Sequence, residues 1–279
     1  MSVKIVTDST SDISPDLATS LGIEVVPGYI RFAKDTYRDG VDISKSGFYQ
    51  KMADSPFHPV TSEATPKDFA EIYSRYKHEV EGIVSIHISS KISRMYDSAR
   101  KGKKMVESKC TIEVIDSHFA SIGLGLIVIG AARLANAGES IEDVVSETKK
   151  AIGQISMLGL FDTMKYVAKG GRVTKHVMEL SSIFRIKPLL TFRDGEIVVE
   201  GLARTHSGGS ERLFEFISNA PGIQDLSIAY STDYDSAIAL KQRLGSVFPE
   251  QRIYIEQMGA ALGAHSGPGA IFVALRRDK

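Results

Sequence analysis

The stretch Gly82 to Ser98, GIVSIHISSKISRMYDS, constrains the chain more than any other, because an apolar run stops in hydroxyl residues and then takes on helical spacing. Gly82 to Ile88 reads as a buried strand, Ser89 to Ile92 as a turn, and Ser93 as the N-cap of a helix that turns Met95, Tyr96 and Ala99 inward. A strand that stops at a helix start leaves backbone N–H groups pointing out of the sheet, with the positive end of the helix dipole behind them. Such a place suits one anionic head group, unless the serines merely cap the helix.

The same pattern recurs along the chain. Val3 to Thr7 is a strand that runs into DSTSDIS before a helix from Pro15 to Ser20, and Ile23 to Val26 is a second strand. Tyr37 to Asp42 reads as a turn ahead of a helix capped by Ser44 and running to Ala53. In PVTSEATPKDF, Thr65 and Pro66 account for the next helix start, which leaves Thr61 and Ser62 without an obvious structural task. Thr111 to Ile115 ends in Asp116 and Ser117, and helices follow over Ser121 to Ala137 and Ser140 to Ile152. Alternating strands and helices predict an α/β fold with a doubly wound parallel sheet, whose ligand crevice lies at the carboxyl ends of the strands.

A boundary is expected near Gly153, giving a first domain over residues 1–153 and a second over 154–279. Beyond it, Ile155 to Phe161 reads as a strand, and Thr163 to Lys169 as a helix stopped by Gly170 and Gly171. Val177 to Phe184 is expected to be another helix, and Arg185 to Phe192 pairs with Gly195 to Ala203 in a hairpin through Arg193-Asp194-Gly195. Helices over Ser207 to Ser218 and Asp233 to Ser246 alternate with strands over Leu226 to Tyr230 and Arg252 to Glu256, and Ala270 to Leu275 is the last strand. This half reads as a smaller α/β unit with a mixed sheet.

Composition removes several function classes. Thirty-four Lys and Arg balance thirty-four Asp and Glu, so no overall field recruits nucleic acid or an anionic membrane surface. The single cysteine, Cys110, permits no intramolecular disulfide, and the start MSVKIVTDST reads as a first strand rather than a signal peptide; both point to the cytoplasm. The most apolar region, Ile122 to Ala135, is too short and too glycine-rich for a membrane span, so no stable insertion is expected. Phosphate-loop, dinucleotide-turn, zincin and nucleophile-elbow patterns are absent, and the seven histidines are scattered, so neither cofactor nor metal is expected. His87 reads as a core histidine.

His265 stands apart, expected on a thin loop between the glycine-rich turns of LGAHSGPGA, and Arg172 is presented just past a helix stop. Together with Thr61, Ser62, Ser89 and Ser93 they supply neutral donors on one half and titratable or charged donors on the other, which suits holding one anion at a domain crevice. A serine-dependent acyl hydrolase, with Ser93 or Ser89 as nucleophile and His265 as base, is the alternative, although no acid that would orient His265 is identifiable. A regulatory or scaffold protein is a third reading.

The ordered segments TDSTSDI, YRDGVDI, PVTSEATPKDF, ISSKIS, VIDS, SIGLG, AKGGRV, IKPLL and AHSGPGA resemble the signature segments of the DegV family of bacterial fatty-acid-binding proteins, over essentially the whole chain. The resemblance implies an α/β/α domain with a parallel sheet joined to a smaller α/β domain with a mixed sheet, and a long-chain fatty acid such as palmitate, stearate or oleate between them. Carried over by position, it implies that Thr61 and Ser93 hold the carboxylate, that His265 joins them, and that Arg172 supports the polar network. It also implies a non-enzymatic acyl-binding subunit that offers the carboxylate to a separate ATP-dependent fatty acid kinase subunit in phospholipid metabolism. The chain departs from the family pattern at Arg94-Met95, where Gly-Thr is common, and at Ala64, where Pro is common.

Overall fold

The computed structural model describes residues 2–107, 109–173 and 186–278. In chain order the first half builds β1 (Val3–Asp8), α1 (Pro15–Ser20), β2 (Glu24–Val26), β3 (Tyr29–Phe32), β4 (Asp35–Arg38), α2 (Lys45–Asp54), β5 (Val60–Ser62), α3 (Pro66–Tyr76), β6 (Gly82–His87), α4 (Met95–Lys104), β7 (Thr111–Asp116), α5 (Ser121–Asn136) and α6 (Ile141–Ile152). The second builds β8 (Ile155–Leu160), α7 (Lys165–Gly170), β9 (Lys187–Arg193), β10 (Glu196–Ala203), α8 (His206–Ser218), β11 (Ile223–Tyr230), α9 (Tyr234–Leu244), β12 (Ile253–Gln257), α10 (Ala260–Ser266) and β13 (Ile271–Arg277). The helix expected over 177–184, His176 and the expected first hairpin residue, 185, lie outside the described residues.

The first sheet is parallel, in the order β2-β1-β6-β7. All six residues of β6 are buried, as a central parallel strand requires. Its alternation shows what covers each face. The Ser85 hydroxyl accepts from Tyr73 and the His87 ring meets Phe69, both on α3, whereas the Gly82 face lies against Ile141 of α6. The chain leaves β1 for β2 on one side and β6 for β7 on the other, so a switch point opens between β1 and β6. Residues after Asp8 and after His87 are thereby brought to the mouth of one crevice.

The second sheet is mixed, in the order β10-β9-β8-β13-β11-β12, antiparallel throughout except for β11 with β12. Leu158, Leu160, Ile271, Val273 and Leu275 pack with Leu213, Ile217 and Leu240 of α8 and α9. Their neighbours Met157, Phe272 and Ala274 point the other way, into the core shared with the first sheet. Helix α5 fills that core, touching β1 and β6 on one side and β8, β11 and β13 on the other. This explains why it is apolar around nearly its whole circumference rather than along one stripe.

Several sequence expectations change. Thr61 and Ser62 sit on a strand, not a free loop, because β5 pairs with β3 (Ile30↔Thr61, Tyr29↔Ser62) in a small antiparallel sheet β4-β3-β5. The expected turn over 37–42 begins inside β4. Ser93 is not the N-cap: Arg94 holds that position, while the Ser93 hydroxyl accepts the N–H of Met95 at 3.2 Å within a turn whose Ile92 and Ser93 N–H groups both donate to the Ser89 carbonyl. His265 is not on a loop either; it belongs to α10, whose Ala260 and Ala264 pack on Ile30, Phe32, Phe48 and Tyr49. The hairpin of β9 and β10 turns at Asp194 (φ 50°) and Gly195 (φ 83°), the positive φ pair of a type I′ turn.

Candidate functional site

A cavity of about 710 Å³ lies between the first-sheet loops and the inner face of the second sheet, within the ordinary range for small-molecule sites of roughly 300–1,000 Å³. Its apolar wall comes from Met157, Phe161, Leu190, Phe192, Ile197 and Phe272. Strand alternation produces that wall: Met157 and Gly159 of β8 face inward, Gly159 pairs with Phe272 of β13 and Leu190 of β9, and Phe192 follows two residues on.

The polar lining includes Thr10, Thr61, Ser62, Ser93, Arg172 and His265. His265 Nε2 lies 2.8 Å from Thr61 Oγ1, joining α10 to β5 across 204 residues of sequence. The imidazole fits because Gly170 has no side chain; a Cβ there would stand 2.1 Å from His265 Nδ1. Arg172 donates from Nη1 to the Gly170 carbonyl, so the guanidinium is held on the turn beside the ring. Burial above all, then the charge of Arg172 and the presence of His58, pulls the His265 pKa down to about 4. The ring is therefore neutral near pH 7. Nδ1 is buried and has no hydrogen-bond partner among the described residues. We assign the Nε2–H tautomer, because it leaves Nδ1 an unsatisfied acceptor rather than an unsatisfied donor and gives Thr61 a donor to receive. The Thr61 hydroxyl hydrogen is then free to point into the cavity.

Of the sequence-predicted residues, Thr61, Ser62, Ser93, Arg172 and His265 thus line one cavity, and Ser89 does not. Ser89 is fully buried; its hydroxyl donates to the Gly195 carbonyl at 2.7 Å and accepts the Lys91 N–H at 3.3 Å. It ties the β9–β10 hairpin to the loop after β6, and that approach needs Gly195, where a Cβ would lie 2.6 Å from the hydroxyl oxygen. The hydrolase reading needs His265 directed at a serine, but its bonded nitrogen is engaged with Thr61, and among the described residues its other nitrogen meets no carboxylate. Arg94 pairs with Glu63 at 2.8 Å, and Ala64 is buried with its N–H directed at the Met95 sulfur at 3.4 Å.

Thr10 also lines the cavity, and the only sequence signal for it is the hydroxyl-rich DSTSDIS segment that holds it. Its hydroxyl and N–H both go to Asp8 Oδ1. Asp8 Oδ2 meets His87 Nδ1 at 2.9 Å, and His87 Nε2 meets Ser85 Oγ at 2.7 Å. His87 is thus a satisfied core histidine whose network reaches the cavity wall through Thr10. Among the described residues no group of three or more His, Cys, Asp and Glu side chains could hold a metal ion, and no helix is long and apolar enough to cross a membrane.

Comparison with known proteins adds an independent line. The family model described as "Uncharacterised protein, DegV family" matches residues 2–278. A DegV domain-containing protein of Caldanaerobacter subterraneus subsp. tengcongensis is 33% identical over 272 residues, covering 96% of each chain. Among solved structures, a DegV family protein from Thermus thermophilus, described as fatty acid binding, is 32% identical and superposes with a TM-score of 0.89 over 99% of this chain and 100% of its own. DegV from Bacillus subtilis, at 24% identity, shows the same fold with a TM-score of 0.91 over 100% of each chain.

Proposed function

This chain belongs to the DegV family, and on that premise we propose that it binds a long-chain fatty acid such as palmitate, stearate or oleate in the cavity and presents the carboxylate to a separate ATP-dependent fatty acid kinase subunit. The observation that carries the reading is the Thr61–His265 pair, a part-buried, neutral hydrogen-bond donor system set into an otherwise largely apolar cavity. Burial of an acyl tail stabilises the complex by ~0.8 kcal/mol per methylene. A tail of about fourteen methylenes therefore supplies on the order of 11 kcal/mol before the costs of association and ordering. The tail sets affinity. A carboxylate taken out of water, by contrast, is costly unless fully hydrogen-bonded.

Thr61 and Ser93 supply the hydroxyl donors, His265 polarises Thr61 from behind, and Arg172 compensates the charge from the rim. Hydroxyl donors leave the carboxylate oxygens nucleophilic toward a phosphoryl group, where a direct ammonium clamp would quench them. In this reading the chain is an acyl-binding subunit of phospholipid metabolism in a bacterial cytoplasm, requires no cofactor, and has no ATP chemistry of its own.

The test is mass spectrometry of lipid extracted from the purified native protein, followed by fatty-acid titration of Thr61→Ala and Ser93→Ala. A co-purifying fatty acid, with weakened binding in both variants, is the expected result. Absence of lipid together with no uptake of added oleate would overturn the reading.

A further inference from the structure

Helix α10, which presents His265, starts without a cap of its own. Gly259 holds the N-cap position and has no side chain to give. The first N–H groups of a helix have no intrahelical partner and must find one elsewhere. Here two carboxylates from the far end of the chain provide it. Asp12 Oδ1 accepts from the Gly259 N–H at 2.7 Å, and Asp39 accepts from Ala260 through Oδ1 at 2.9 Å and from Ala261 through Oδ2 at 3.0 Å. Both acids are almost wholly buried. Asp12 is fixed in turn by the Ser121 hydroxyl at 2.6 Å, and Lys45 Nζ bridges the Gln257 carbonyl at 2.6 Å and the Asp12 carbonyl at 3.3 Å. The loop after β1 and the turn after β4 thus grip the start of α10 at consecutive amides, while Lys45 of α2 and Ser121 of α5 brace Asp12.

We propose that Asp39 and Asp12 are positioning residues for the fatty-acid head group: by holding the first amides of α10 they fix the rotation and register of that helix, and so hold His265 against Thr61. The proposal rests on the fatty-acid reading above. The packing of α10 on the small sheet and α2 uses Ala260 and Ala264 against rings and an isoleucine, and small apolar side chains permit sliding and rotation. A rotation of one residue position swings a side chain by about 100°, which would carry the imidazole away from Thr61. Directional bonds to three successive N–H groups forbid that rotation, and His265 follows on the same helix one and a half turns on. A head-group site has to be held to within about 0.5 Å to work, and the clamp adds a directional constraint to the seat that Gly170 gives the ring.

The experiment uses the full chain, stripped of lipid, with oleate and oleyl alcohol as matched probes and ring-labelled histidine for NMR. Wild type is expected to prefer oleate, and His265→Ala to lose that preference. Asp39→Ala should lose it by about tenfold, equivalent to about 1.4 kcal/mol, while retaining oleyl alcohol affinity within about twofold; Asp39→Asn, which keeps one acceptor, should recover part of it. The His265 titration should move from near 4 in wild type toward the ordinary imidazole value in Asp39→Ala, as the ring gains solvent. Should Asp39→Ala fail to fold, Ser121→Ala, which frees Asp12 without touching α10, carries the same two readouts. An unchanged oleate preference with an unchanged His265 titration in the folded variant, whatever its melting temperature, overturns the proposal. If wild type binds neither probe, the fatty-acid reading falls, while the His265 titration in the variants still decides the clamp.

Discussion

Burial, more than any formal charge, decides what His265 can do. A ring protonated at neutral pH would add a second cation beside Arg172, whereas a pKa of about 4 keeps it a neutral donor. The first prediction is direct: NMR of the ring nitrogens should place its titration near 4, and an ordinary midpoint near 6.5 would remove the neutral-donor mechanism. The linkage has a definite sign. Because the folded pKa lies below the unfolded value, the stabilisation exists above about 6.5 and is lost as pH falls through about 4, an effect on the order of 3 kcal/mol at most. His265→Gln should flatten that part of the pH–stability curve. A second prediction concerns Gly170. Its missing side chain is the space the imidazole occupies, so Gly170→Ala must displace the ring and break the Thr61 contact. Oleate affinity measured by probe displacement should fall by about tenfold, as Thr61 loses the partner that orients its hydroxyl toward the carboxylate, with oleyl alcohol little affected. Equal affinity of Gly170→Ala and wild type for oleate would show that the Thr61–His265 contact does not set head-group binding.

Elements explain why the two serines of the ISS segment part company. Ser93 reaches the cavity, but Ser89 is spent on the β9–β10 hairpin, and nothing in the local spelling distinguishes them because the partner, Gly195, is 106 residues away. Ser89→Ala should leave the Gly195 carbonyl short of its buried donor and lower stability by about 1–3 kcal/mol in urea unfolding. Fatty-acid affinity should hold; a selective loss of binding without loss of stability would put Ser89 back in the site. The start of α10 gives an opposite pH signature from that of His265. Burial raises Asp12 from 3.8 to about 7, against the lowering effects of Lys45, the Gly259 N–H and the Ser121 hydroxyl; Asp39 raises it further, and Tyr49 faces the pair from α2. A carboxyl whose folded pKa is raised contributes stability that is complete below the unfolded value and is lost as pH rises through about 7. Between those limits stability should fall by at most about 1.4 kcal/mol per pH unit from this group. Asp12→Asn should abolish that slope in denaturant titrations. His265 works in the other direction over an overlapping range, so it is the two single variants, not wild type, that separate them.

At the level of the whole molecule, what could be read in advance follows the reach of each signal. The apolar runs of β1, β6 and β7 and the caps at Ser44 and Thr65 are local, and they appear where periodicity and capping chemistry place them. The sheet β4-β3-β5 was illegible because its strands are three or four residues long, too short for alternation to register. The glycines around His265 predict a loop, yet Gly263 sits inside the helix and admits Phe48 and Tyr49 to close contact. In the sequence Asp12 is one residue of the DSTSDIS loop and Asp39 one of an expected turn, and the amides they hold lie 221 or more residues away. Long-range dependence of this kind predicts how the molecule unfolds. Because α5 is buried between both sheets and Asp225 on β11 is clamped by Arg133 of α5 at 2.7 Å and Arg276 of β13 at 2.6 Å, neither sheet retains its inner face when the other melts. Calorimetry should therefore show one transition, not two. Ile127→Ala on α5 should lower it by about 2–5 kcal/mol, the usual range for a buried Ile truncated to Ala. Hydrogen exchange should report the loss equally at amides of β6 and β13, and a variant in which only one of these strands lost protection would show that the two sheets are separate folding units joined merely by contact.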